Sequence, residues 1–101
     1  MPYEIILTPD ALDHLAALTA RERRLVLDAI EKQLAYEPVR ITRQRKPLRP
    51  NPLASWELRV EHFRVYYQVE TDEDERNLVY VVAVGLKDRN RVTIGGREIE
   101  L

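Results

Sequence analysis

The architecture is set by a stretch in the middle of the chain, WELRVEHFRVYYQVE at residues 56–70. Apolar and polar residues alternate in both of its halves, and the apolar positions are Trp56, Leu58, Val60, Phe63, Val65, Tyr67 and Val69. A period of two residues is typical of β-strands with one buried face. Only Glu61 and His62 separate the halves, so we predict two strands joined by a two-residue hairpin loop. This loop lacks the usual glycine, and histidine tolerates a positive φ better than most residues.

A strand and two helices are predicted before this hairpin. Residues 3–7 alternate as in a strand, and Thr8, followed by proline, has the pattern of a helix N-cap. Thr19 and Glu22 have the spacing of a capping box, which begins a second and longer helix that ends before Pro38.

The C-terminal half completes a sheet. Prolines and bases interrupt residues 38–52, which we expect to form a surface connection. Residues 78–86 are almost continuously apolar, as in a strand covered on both faces in the middle of a sheet. Residues 92–101, around two glycines, predict a last short strand or hairpin. The order predicts an α+β fold with both N-terminal helices packed on one face of an antiparallel sheet.

Composition limits the chemistry that this chain can carry out. Its 101 residues fit a single domain spanning residues 1–101, and the absence of cysteine excludes a disulfide scaffold, a thiolate zinc site and a cysteine nucleophile. With two histidines, we expect no metal site and no cofactor. No apolar run approaches the length of a membrane span and the N-terminus lacks signal-peptide features, so we expect a cytoplasmic protein without membrane contact.

The net charge of −1 conceals strong segregation of charge along the chain. Residues 40–64 contain seven bases and two acids, and residues 87–97 contain four bases and one acid. Residues 70–76, in contrast, contain five acids and one base. Such segregation indicates a face that binds a polyanion. A basic loop is also compatible with simple solvation, or with an acidic protein partner.

The predicted hairpin brings three cations together. A two-residue loop places Arg59 directly opposite Arg64, and the next strand returns Lys87 to the same neighbourhood. Like charges opposite each other destabilise a sheet, which suggests that an anion such as phosphate lies between them. Alternatively Glu57, diagonal to Arg64, neutralises them in a surface salt-bridge network.

Several stretches resemble the RelE/ParE superfamily of bacterial toxins from type II toxin–antitoxin systems. They are residues 46–53, 56–60, 63–69 and 82–87. The resemblance implies a RelE-like β-α-α-β-β-β(-β) fold and a toxin held silent by a cognate antitoxin, which also mediates any oligomerisation. RelE-like members cut messenger RNA, commonly on the ribosome, whereas ParE-like members poison DNA gyrase.

The resemblance also implies roles for individual residues. Arg64 matches the arginine that holds the phosphate in RelE-like nucleases, Arg59 falls where they have a lysine, and Lys87 where they have an arginine. Thr93 falls where RelE has a functional tyrosine. Lys46 stands where the YoeB-like branch has a glutamate base. The usual base is therefore missing.

His62 and Glu57 are the candidates for proton transfer, although His62 also suits a plain turn residue and Glu57 a salt-bridge partner. Tyr66 shares the arginine face, where it can stack on a base or pack across the strands. The predicted nucleic-acid-binding residues are Arg45, Lys46, Arg49, Tyr66, Arg89 and Arg91.

The resemblance thus implies an endoribonuclease that cuts messenger RNA without a metal, by attack of the ribose 2′-OH on the adjacent phosphate. Two other hypotheses stay open. One is a gyrase inhibitor that catalyses nothing, and the other is an inactive binding module with the same scaffold.

Overall fold

A computed structural model describes residues 2–100. Its elements, in chain order, are β1 (Glu4–Leu7), α1 (Pro9–Ala16), α2 (Ala20–Leu34), β2 (Arg45–Pro47), β3 (Trp56–Val60), β4 (Phe63–Thr71), β5 (Asn77–Asp88), β6 (Arg91–Ile94) and β7 (Arg97–Ile99). The predicted α+β order is confirmed, and the tail forms a hairpin.

The strands form one sheet in the order β2-β3-β4-β5-β6-β7, with antiparallel neighbours. β1 departs from the predicted antiparallel arrangement because it pairs in parallel with Leu78–Val81 of β5. β6 pairs with Gly85–Asp88 further along the same edge of β5. The apolar strand β5 is therefore central, as predicted.

Both helices pack on one face of the sheet. Their buried residues, which include Val26, Ile30 and Leu34 of α2, share a core with the inward-facing residues of the central strands. Trp56 stacks on Tyr67 at a ring-centroid distance of 6.1 Å on this face. The alternation in residues 56–70 thus marks the face that meets the helices.

The predicted helix caps are present. The Thr19 hydroxyl accepts a hydrogen bond from the Glu22 backbone N–H (3.2 Å), and the Glu22 carboxylate accepts one from the Thr19 N–H (2.9 Å). Thr8 caps α1 and also ties it to the sheet, because its hydroxyl donates to the backbone oxygen of Val81 (3.0 Å). Just beyond, His14 Nδ1 accepts from the Val84 N–H (3.1 Å), between the segments of β5 that pair with β1 and β6.

The hairpin has the predicted register, with Arg59 opposite Arg64 and Val60 opposite Phe63. The positive φ of the loop is adopted by Glu61 (53°) and not by His62, so the expectation for histidine is wrong. The segment 38–52 is also more regular than expected, since its residues 45–47 form the edge strand β2. β2 has only three residues, the last of them a proline, which is too short for an alternation of apolar and polar residues to be recognised in the sequence.

Candidate nucleic-acid interface

A row of paired residues crosses the sheet face opposite the helices. Lys46 of β2 pairs with Glu57 of β3, Glu57 pairs with Tyr66 of β4, and Tyr66 pairs with Ala83 of β5. The first three line a cleft of about 460 Å³, which we call the β-face cleft. Its other lining residues are Leu48, Lys87, Asn90, Val92, Glu98, Ile99 and Glu100.

Glu57 lies between two cations. Its Oε1 is 3.7 Å from Lys46 Nζ and 3.8 Å from Arg64 Nε, and only 11% of its side chain is exposed. Both distances exceed that of a charge-assisted hydrogen bond, so the carboxylate is in ionic contact without a fixed bond. The salt-bridge partnership considered for Glu57 is present.

Arg64 lies opposite Arg59, but the hairpin itself holds its guanidinium. Nη1 donates hydrogen bonds to the backbone oxygens of Glu61 (2.7 Å) and Phe63 (2.8 Å), and 7% of the side chain is exposed. Burial lowers the pKa of this guanidinium, and the adjacent Arg59 lowers it further against the opposing effect of Glu57. The opposed arginines were predicted, whereas the internal bonds of Arg64 were not.

Lys87 faces the same side of the sheet as Arg64. It follows Gly85, the pairing partner of Arg64, by two residues, and its side chain lines the β-face cleft. Its backbone N–H donates to the His62 oxygen (2.7 Å). Lys46 and Lys87 thus both border the cleft, whereas exposed Arg59 and buried Arg64 are not among its lining residues.

Tyr66 forms part of the cleft wall although its side chain is buried in the protein interior. The residue is 0% exposed and packs in a small second core with Ala54 and Ala83. Its hydroxyl is buried without a hydrogen-bond partner among residues 2–100. Burial raises the pKa of Tyr66, and the Glu57 carboxylate raises it further, by its charge and as a nearby acceptor that does not meet the geometry of a hydrogen bond. The prediction that this ring stacks on a base is wrong, because neighbouring side chains already cover it.

His62 is not among the residues that line the β-face cleft. Its side chain shares a small cavity with Arg21, Glu22 and Leu25 at the start of α2, and its ring is 4.3 Å from that of Phe63. A role for His62 in proton transfer stays a prediction, which the position of its side chain beside α2 does not support. The turn directs this side chain toward the helices.

Comparison with known proteins gives a family and a similar fold for this chain. Residues 5–91 match the family model described as the ParE toxin of type II toxin–antitoxin systems. The chain belongs to this family. The fold is also similar to a solved chain of the toxin–antitoxin complex RelBE2 from Mycobacterium tuberculosis, with a TM-score of 0.69 and 25% identity over 86% of this chain and 100% of that chain. Both findings confirm the resemblance read from the residues. No curated protein of similar sequence was found.

The remaining predicted residues of this toxin are divided between surface and core. Arg45 is buried, with its guanidinium donating to the backbone oxygens of Arg40 and Gln33, so its assignment to nucleic-acid binding is wrong. Its partner in the sheet is Leu58, and this parity turns it toward the helices. Of the other predicted nucleic-acid-binding residues, Arg49, Arg89 and Arg91 are exposed and lie outside the cleft lining.

Sequence reasoning missed two acidic residues of the cleft. Glu98 and Glu100 come from the last strand and the residue after it, and both line the cleft. Glu98 Oε1 is 3.9 Å from Arg91 Nε on the paired strand. Their position depends on how the β6–β7 hairpin folds back, which the local pattern does not reveal.

No helix in residues 2–100 has the length and apolar character needed to cross a membrane.

Proposed function

We propose that this toxin is an endoribonuclease that cleaves messenger RNA without a metal ion, with Glu57 as the general base. One observation carries the proposal: a carboxylate held between two cations on the wall of an open cleft. Phosphodiester cleavage by an adjacent hydroxyl needs a base at that hydroxyl and positive charge around the phosphate. The β-face cleft offers both.

The reaction follows from these groups. Glu57 takes the proton of the ribose 2′-OH, and the 2′-oxygen attacks the adjacent phosphorus. The bond to the 5′-oxygen breaks, which leaves a 2′,3′-cyclic phosphate. Lys46 and Lys87, which both line the cleft, stabilise the charge that builds on the phosphate oxygens. The ammonium group of one of them gives its proton to the departing 5′-oxygen.

The pairing of strands explains how Glu57 can replace the base that is missing from the sequence pattern. In the YoeB-like branch a glutamate base stands at the position of Lys46. Here Glu57 is the direct cross-strand partner of Lys46, so the carboxylate has moved by one strand within the same row. Arg64 is then a positioning residue, which holds Glu57 from the neighbouring strand while its Nη1 is bonded to the hairpin backbone.

We also assign a cognate antitoxin as the partner that keeps this chain silent. The structurally similar RelBE2 chain was solved in a toxin–antitoxin complex, and the matched family is defined by such systems. Because the proposed substrate is messenger RNA, the toxin acts in the cytoplasm, on free or ribosome-bound message.

The test is the substitution Glu57→Gln, which keeps the shape of the side chain and removes its basicity. We expect the cleavage rate of a defined RNA to fall by roughly 10²–10⁴-fold, as for loss of a general base. Glu61→Gln in the hairpin turn is the control and should leave the rate unchanged. A substrate with a single 2′-deoxy nucleotide at the cut site should resist the wild-type protein. Normal cleavage by the Glu57→Gln variant would rule out this base.

Gyrase inhibition is the second candidate. It is favoured by the internal bonds of Arg64, which leave fewer free donors for a phosphate than a dedicated clamp would have, and by the ParE description of the matched family. A supercoiling assay with purified gyrase separates the two functions. Inhibition of gyrase together with intact RNA, both unaffected by Glu57→Gln, would replace the nuclease proposal.

A further inference from the structure

The Tyr66 hydroxyl is the one buried side-chain polar atom in residues 2–100 that lacks a hydrogen-bond partner. A buried polar group without a partner costs free energy, and native structures rarely keep one unless water or a ligand completes it. The adjacent Tyr67 shows the usual arrangement: it is equally buried, and its hydroxyl donates to the Pro38 backbone oxygen (2.6 Å). The unpaired state of Tyr66 therefore requires a specific explanation.

The position of Tyr66 relates this hydroxyl to the cleft. Its ring packs against Ala54 and Ala83, while the residue also forms part of the cleft wall. Within the row across the sheet it stands next to Glu57, with Lys46 one strand further on. Lys46 is long, and its side chain is 61% exposed, so it can turn aside when a ligand enters.

The charges around the cleft indicate which kind of ligand would accept the hydrogen bond that the Tyr66 hydroxyl lacks. Two ammonium groups, of Lys46 and Lys87, border it, and they favour an anion. Two of the three acids in the lining have a cation from outside the lining beside them: Glu57 Oε1 is 3.8 Å from Arg64 Nε, and Glu98 Oε1 is 3.9 Å from Arg91 Nε. Glu100 is exposed at the rim. A tyrosine hydroxyl at such a site serves as a donor to an anionic oxygen.

We propose that the Tyr66 hydroxyl donates a hydrogen bond to a phosphate oxygen bound between Lys46 and Lys87. The inference rests on the proposed function in one respect, because it takes this phosphate to be one of the RNA backbone. Tyr66 then contacts the ligand through its hydroxyl at the edge of the cleft, and its ring remains in the core. The sequence predicts that Tyr66 binds nucleic acid through its ring, whereas here the contact is made by the hydroxyl.

The experiment compares Tyr66→Phe with Tyr67→Phe. Each change removes one buried hydroxyl and keeps the ring. The probes are inorganic phosphate and a 2′-O-methyl RNA tetranucleotide, which lacks the attacking hydroxyl, both titrated by calorimetry. We expect Tyr66→Phe to weaken binding of both probes about tenfold, equivalent to about 1.4 kcal/mol, and to leave the unfolding temperature unchanged or higher. Tyr67→Phe should lower the unfolding temperature and leave binding unchanged.

Three results would overturn the inference. The first is that neither probe binds the wild-type protein, and the second is that wild type and Tyr66→Phe bind the probes with equal affinity. The third is a lower unfolding temperature of Tyr66→Phe, which would show that the hydroxyl is already bonded inside the protein. Cleavage of unmodified RNA is measured separately on the same samples. Cleavage without any effect of Tyr66→Phe removes this inference alone, and Tyr66-dependent phosphate binding without cleavage removes the nuclease proposal alone.

Discussion

Arg64 and Arg59 face each other across β3 and β4 in opposite environments. Arg64 is buried and bonded to two backbone oxygens, whereas Arg59 is exposed. We expect Arg64→Ala to lower the free energy of unfolding by about 2 kcal/mol, because the two oxygens lose a charged donor. Arg59→Ala should change it by less than about 0.5 kcal/mol. Urea unfolding followed by circular dichroism measures both, and equal effects would contradict the assigned roles.

For individual residues, the sequence predicted which face of the sheet a side chain lies on, but not how deeply that side chain is buried. Alternation correctly places Glu57, Arg59, Arg64 and Tyr66 on one side of the hairpin, since neighbouring side chains in a strand point to opposite faces. Burial depends on what lies above that face. The second core that covers Tyr66 includes Leu48 from the proline-rich connection and Leu53 and Ala54 just after it, and the path of such a segment has no periodic signature.

The two threonine caps differ in how much of the fold they join. Thr19 is exposed and serves α2 alone, whereas Thr8 caps α1 and its hydroxyl also donates to the Val81 oxygen of β5. We expect Thr19→Ala to cost about 1 kcal/mol of stability, as for a typical N-cap. Thr8→Ala should cost about 2 kcal/mol, since a bond between elements is lost as well. Denaturant midpoints of the two variants provide the measurement, and a smaller loss for Thr8→Ala would show that its bond to β5 contributes nothing.

At the level of elements, what depends on local chemistry was predictable and what depends on distant partners was not. The caps of both helices and the length of the hairpin loop follow from neighbouring residues, and each was found as predicted. The parallel pairing of β1 with β5 joins residues more than 70 positions apart. β2 forms because it can pair with the edge of β3, and the three residues of β2 contain no sequence pattern that predicts a strand.

Charge is polarised over the whole molecule along β4. The turn that precedes this strand adjoins Arg59, Arg64 and Lys87, and the turn that follows it is the acidic segment 72–76. If the ligand is RNA, the two phosphate contacts proposed for Lys46 and Lys87 predict a roughly sevenfold loss of affinity between 50 and 200 mM salt. Lys87→Ala should reduce the slope of log affinity against log salt by about 0.7. Fluorescence anisotropy with a 2′-O-methyl RNA measures both quantities. An affinity that does not change with salt concentration would instead indicate a protein target, because apolar contacts release few counterions.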